Sequence, residues 1–218
     1  MLKNQLWKPW IGKNFNKQET KILLIGESHY SQDSNGNFDK ECYEEFINDS
    51  ETTQKIIQRL INGESWRIFD NTYKFLFNNR KINVTDFWEQ FSFYNLIQRP
   101  MKTMKEKPSK TDFKQGIETS LEVINEMYTK PDYVIFLGNS GRHYLKNSIN
   151  NNENYRLINE KTEKIGRYFG VKFTIENTKE IQLIFIKHPS SYFSWNKWNE
   201  FIIKDNFKLK KYLEKNIS

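Results

Sequence analysis

Four short runs of the chain are apolar at nearly every position: "KILLIG" (21–26), "FSFYNLI" (91–97), "DYVIFLG" (132–138) and "IQLIFIKHP" (181–189). Each has strand length, is rich in β-branched or aromatic residues, and meets Gly, Asn or Pro at its end. The first, third and fourth lack the alternation of a half-exposed strand, which predicts burial on both faces. Between the runs the spacing turns helical. Stretches 39–48, 51–62 and 68–79 fill the first gap. The second holds 111–128, with Thr111 as N-cap and Phe113, Ile117, Leu121, Ile124 and Met127 on one face. "SGRHYLKNSI" and "INEKTEKIGRYFG" read as helical pattern after the third run, and "VKFTIE" (171–176) as an additional edge strand. The tail from Trp195 reads as helix with a break near Asp205–Asn206.

Strands alternating with helices predict an α/β protein. The expected architecture is a three-layer α/β/α sandwich around a central, mainly parallel four-stranded sheet, in one domain over residues 1–218. In such sheets ligands sit outside the carboxyl ends of the strands. The stretches to inspect are therefore 26–30, 95–99, 138–141 and 188–192.

Those ends are polar in useful ways. "GESHY" delivers Glu27, Ser28, His29 and Tyr30 directly after the first run. Asn95 closes the second, and its amide offers a donor and an acceptor, enough to read one edge of a base; a turn-capping Asn explains it equally. The loop "RPMKTMKEKPSK" that follows carries five basic residues against one acid, among them Arg99 and Lys102. It suits either a phosphate backbone or plain solvent. At the fourth end His188 precedes Pro189, which stiffens the turn. Ser190 and Ser191 follow near a helix start, as a phosphate site would need, and then the bulky Tyr192 and Phe193. An ordinary strand-ending turn is the alternative. "GNSG" at the third end is a weak phosphate signal, and His143 reads as structural.

Composition narrows the class. The chain has 218 residues, a formal charge of +7 and an aromatic content of 16%, which fits a globular protein with an anionic partner, nucleic acid first. A Lys- and Asn-rich bias of composition accounts for the charge alone as well. One cysteine, Cys42, excludes an intrachain disulfide framework, a zinc ribbon or an iron–sulfur cluster. The scattered His29, His143 and His188 offer no metal-ligand spacing. No signal peptide and no span of ~20 apolar residues is present. The expectation is a cytoplasmic monomer with no metal, no cofactor and no membrane contact.

Taken in order, a strand into "GESHY", a strand closing on Asn95, "YVIFLGNSGRHYL" and a strand into "HPSSY" resemble the uracil-DNA glycosylase superfamily over residues 21–195. "HPSSY" is similar to that superfamily's His-Pro-Ser motif with its penetrating hydrophobic residue. "GESHY" resembles its first motif, which is GQDPYH or GEAPG in different branches. The resemblance implies a protein that flips a uracil or other deaminated base out of DNA and hydrolyses its N-glycosidic bond. His188 would then donate to the charge developing on the base, with Glu27 positioning water or balancing the sugar cation. Asn95 would read the base edge. Tyr30, Phe38, Ser28 and His29 would line the base pocket, Phe38 as the stacking aromatic. Tyr192 would fill the vacated stack, and Ser190, Ser191, Arg99 and Lys102 would meet the DNA backbone.

The chain departs from the pattern at two positions. Ser28 stands where the superfamily most often has a catalytic Asp, and His29 where it has Pro. Two alternatives follow. One is a glycosylase-fold module that binds nucleic acid or a nucleotide without cutting it. The other is an ester hydrolase using Glu27 and His29, since "GESH" also resembles the erythromycin-esterase-like families, although Tyr30 replaces their Gly.

Overall fold

The apolar runs become strands that need cover on both faces, and helices supply it. A computed structural model of the chain describes residue 2, residues 4–190 and residues 192–215. The strands are β1 (Trp10–Ile11), β2 (Ile22–Gly26), β3 (Ser92–Asn95), β4 (Tyr133–Phe136), β5 (Arg156–Ile165), β6 (Tyr168–Glu176) and β7 (Glu180–Phe185). The helices are α1 (Lys40–Asn48), α2 (Thr52–Ile61), α3 (Arg67–Leu76), α4 (Val84–Gln90), α5 (Lys110–Glu126), α6 (Arg142–Asn150), α7 (Trp195–Ile203) and α8 (Phe207–Lys215). The protein is a mixed α/β fold around one seven-stranded sheet of order β1-β3-β2-β4-β7-β6-β5.

The expected four-stranded sheet is thus too small. Its four strands, β3-β2-β4-β7, are parallel to one another and form the centre. β1 adds antiparallel at one side, and β6 and β5 add antiparallel at the other. Three local signals decided against the sequence reading. The segment expected as helix at "INEKTEKIGRYFG" is β5 and the start of β6, joined by the two-residue turn Gly166–Arg167 with Gly166 at φ 62°. A glycine at positive φ in a two-residue loop fits the hairpin twist, and this outweighs the helix-forming Glu and Lys before it. "VKFTIE" is consequently an inner strand, not an edge. The N-cap of α5 is Ser109, not Thr111: Ser109 and Asp112 form a reciprocal capping box, for which Thr111 has no partner. The tail does break at Asp205, at φ 62°, between α7 and α8.

Successive strand residues feed opposite layers. Leu24, Phe93, Ile135 and Ile184 join the cluster under α2, α3, α4, α7 and α8. Leu23, Tyr94, Val134 and Phe185 join the cluster under α5 and α6. Phe136 and Phe185 stack across β4 and β7 at 4.0 Å and 6°. Burying each such side chain stabilises the fold by about 1.5–3 kcal/mol. Among the described residues no helix is long and apolar enough to cross a membrane.

α5 approaches the sheet unusually closely. A Cβ on Gly116 would lie 2.3 Å from the main-chain oxygen of Leu96. Alanine gains about 1 kcal/mol of helix propensity over glycine, but here two backbones would have to part. Gly116→Ala should therefore lower the unfolding free energy by about 1–3 kcal/mol in urea denaturation. An unchanged or raised midpoint would mean that α5 is not seated this tightly.

Candidate functional site

The exits of β2 and β3 continue side by side beyond the sheet. Leu96 N–H donates to Gly26 O at 3.0 Å, Ile97 N–H to Glu27 O at 2.9 Å, Met101 N–H to His29 O at 2.8 Å and Ser31 N–H to Met101 O at 2.8 Å. Ser28 Oγ donates to Arg99 O at 2.6 Å. Its hydroxyl is part of this zipper, so the expected pocket serine acts as a tie between two loops.

Glu27 turns toward the α5–α6 layer. It lines a crevice of ≈10 Å³ with Ile25, Leu96, Phe136, Ser140 and Gly141, at the carboxyl ends of β2 and β4. That is room for about one water molecule. Tyr30 Oη donates to Glu27 Oε1 at 3.2 Å. Burial raises the carboxyl's pKa, and the Tyr30 hydrogen bond offsets part of the rise. Burial likewise raises the Tyr30 phenol, with the Glu27 charge adding to it. The pair keeps the tyrosine protonated as donor and makes the carboxylate a better proton acceptor than a solvated one.

His29 and Asn95 turn to the other layer. His29 is buried, edge-on to Trp7 at 4.6 Å, with its Nε2 3.0 Å from Asn95 Nδ2 and 3.2 Å from Thr53 Oγ1 in α2. Burial lowers the imidazole pKa to about 3, so the ring is neutral at pH 7. An amide nitrogen has no lone pair to accept with, so this contact needs an unprotonated Nε2 and puts the proton on Nδ1. His29 thereby fixes the Asn95 amide from the side of Trp7 and Thr53. Asn95 Oδ1 falls over Gly26, where a Cβ would come within 2.5 Å of it. Glycine is required there by that approach. Asn95 itself is only 2% exposed.

Beyond β7, Ile186 donates to Phe136 O at 3.2 Å and joins the cluster of the α2–α3 layer, and Lys187 reaches the rings of Tyr168 and Phe193, which pack against the same cluster, so strand alternation does not carry on to His188. Asn71 of α3 holds the loop by donating to the carbonyls of Pro189 at 3.0 Å and Ser190 at 3.1 Å. Burial, helped by the charge of Lys187, lowers the His188 pKa to about 4. The exits of β3 and β7, which carry Asn95 and His188, lie three strand spacings or about 14 Å apart, with Gly26 of β2 between them.

Beyond His188 the loop turns outward. Tyr192 is 88% exposed at φ 56°, a backbone state that costs a bulky side chain of order 1–3 kcal/mol. Phe193 points the opposite way, onto Phe75 and Trp198. Tyr192 and Ser190 border an open groove of ≈820 Å³ with Arg67, Asp70, Asn71 and Lys74 of α3. Sequence reading missed this wall. Its signal was the polar stripe at 67, 70, 71 and 74, one face of a helix by spacing. Ser191 lies outside the described residues.

The remaining expected contacts divide. Lys102 lies with its ammonium 5.5 Å from the Phe38 ring centroid, and Phe38, 43% exposed, also meets Tyr43 edge-on. Arg99 is not offered to an outside phosphate. Its guanidinium forks onto Asp112 at 2.8–2.9 Å and reaches Glu106 at 2.8 Å. The Asp112 hydrogen bonds raise the Arg99 pKa further, and the guanidinium holds the Asp112 carboxyl at about 2. Among the described residues, no three His, Cys, Asp or Glu are grouped to hold a metal ion. No protein-family model matches the chain, and no curated protein matches it in sequence.

Both depressed histidines bind protons more readily in the unfolded chain. Stability is fully present above the unfolded pKa of about 6.5 and is lost as pH falls toward the folded values of about 3 and 4. Each histidine should contribute a slope of up to about 1.4 kcal/mol per pH unit below 6.5. Urea titrations between pH 6.5 and 5 should show it, and His29→Gln should remove about half. An unchanged slope would place His29 in solvent.

Proposed function

We propose that this chain is a DNA glycosylase-like enzyme that takes a deaminated base into the rim between Asn95 and His188 and hydrolyses its N-glycosidic bond. The observation that carries the reading is the division of the rim. The Asn95 amide lies on the α2–α3 side, a water-sized crevice beside Glu27 lies on the α5–α6 side, and a neutral imidazole, His188, leaves β7 at the same rim. A sugar lying over the strand ends would have its base toward the α2–α3 layer and Glu27's water toward α5–α6. That is the opposite-face arrangement a displacement by water needs.

The residues would act as follows. His188, neutral at pH 7, donates a hydrogen bond to the base as it departs with negative charge. A neutral imidazole can do this without being an acid of matched strength. Asn95 presents Oδ1 and its second amide hydrogen to the base edge. Glu27 accepts a proton from the attacking water. Tyr192, already outside the surface, enters the stack from which the base came. Arg67 and Lys74 border the groove along which the strand would run, and the +7 charge favours its approach. Asn95 is nearly covered in the free protein, so base entry would include a local opening of the rim around it.

A second reading is favoured by Ser28. Its hydroxyl is committed to Arg99 O, so no carboxylate from this motif stands on the Asn95 side. A module that binds DNA without cleavage would have the same groove and wedge.

Duplex and single-stranded oligonucleotides carrying uracil, hypoxanthine or xanthine, treated with alkali after incubation, separate the two. Cleavage at one of these bases is expected, with His188→Ala and Asn95→Ala each slowing it about 100-fold or more and Tyr192→Ala weakening duplex binding. Salt-sensitive binding with no strand breaks on any substrate would leave the module, and neither binding nor breaks would sink both.

A further inference from the structure

The two edges of the sheet differ. β1 is a two-residue edge, too short to recruit a strand. β5 is ten residues long, mostly exposed, and paired only with β6 among the described residues. The Gly166–Arg167 turn makes Ile165 and Tyr168 the closing pair of the hairpin. By antiparallel alternation, the main-chain groups of Ile165, Glu163 and Lys161 face β6, and those of Glu160, Thr162 and Lys164 point outward.

We propose that two copies of this chain pair through β5, antiparallel about a two-fold axis at Thr162, so that the seven-stranded sheet of one continues into that of the other. Two observations carry this. The regular part of the edge runs from the irregularity at Leu157/Asn159 to the turn, residues 159–165, and its midpoint is Thr162. Its charges are complementary under that axis. Glu160 of one copy stands opposite Lys164 of the second, and Lys161 opposite Glu163, each pair sharing one face of the joined sheet.

The usual guard against such pairing is charge lying across the open backbone. Here the charges are drawn onto the faces of their own sheet. Lys161 reaches Asp205, Glu163 takes Lys204 at 2.9 Å, and Glu160 takes Lys146. Of the outward N–H groups, that of Glu160 donates to Asn159 Oδ1 at 2.8 Å and exchanges this partner on pairing, while those of Thr162 and Lys164 have no hydrogen-bond partner among the described residues. A strand pair alone buries less than a standard interface, so the dimer is weak and depends on concentration. This pairing does not rest on the nucleic-acid reading.

Sedimentation velocity on the full chain over a concentration series tests it. The wild type should move from one-chain toward two-chain mass. Lys164→Glu places like charges opposite each other at both ends of the pairing and should stay at one-chain mass. Glu160→Lys added to Lys164→Glu should recover the dimer. Thr162→Pro removes an outward N–H and should also abolish it, with circular dichroism reporting the fold of each variant. One-chain mass for the wild type at every concentration overturns the proposal. A dimer that survives Lys164→Glu overturns it too, and a double reversal that stays monomeric overturns the register.

Discussion

Four parallel strands, apolar toward both layers, impose most of what this protein is. A parallel neighbour cannot be reached by a tight turn, so each connection must cross a face of the sheet and every strand must leave at the same rim. The two faces then need separate covers, and the helices distribute between them. The same constraint concentrates Glu27, Asn95 and His188 at one end of the molecule. It also separates them, because neighbouring residues along an exiting strand point to opposite layers.

That separation organises the rim. Glu27 follows Gly26 and falls to the α5–α6 side with Tyr30 as its hydrogen-bond donor. Asn95, paired beside Gly26 in register, falls to the α2–α3 side with His29 behind it. A carboxyl whose proton affinity is raised by burial and an imidazole whose affinity is lowered by the same cause leave the sheet at the same rim. Desolvation pushes acids and bases in opposite directions, so one dry rim prepares a proton acceptor and a neutral hydrogen-bond donor together.

The central strands were legible because burial on both faces leaves a continuous apolar run, and no other soluble element of that length needs one. The helices from Lys40 to Leu76 were legible by spacing, within the usual shift of a residue or two at their ends. β5 was not, since its charged residues form helices as readily, and only the pairing with β6 decides the matter. α4 was also missed: its stretch merges with the aromatic run that opens β3. The strand-end rule singled out Glu27, Asn95 and His188, which the structure puts at or just beyond the ends of β2, β3 and β7, but it could not tell a residue that faces the rim from one that backs it. Ser28 and His29 look as available as Glu27 in the sequence. They are engaged with Arg99 O and Asn95, which lie 71 and 66 residues away. Arg99 looked free beside its lysines, and its carboxylate partners come from the far end of the same loop and from α5.

The clamp of Asn71 on the Pro189 and Ser190 carbonyls has a thermodynamic meaning. A loose loop carrying an exposed tyrosine would lose its freedom only when something was bound, and the association would be weaker by that amount. Here the carbonyls of Pro189 and Ser190 are held already, so that share of the entropy is lost during folding along with the backbone cost at Tyr192. The isolated protein is less stable for it. A partner that met Tyr192 would not meet that cost again, and the difference would reside in slow dissociation rather than fast capture.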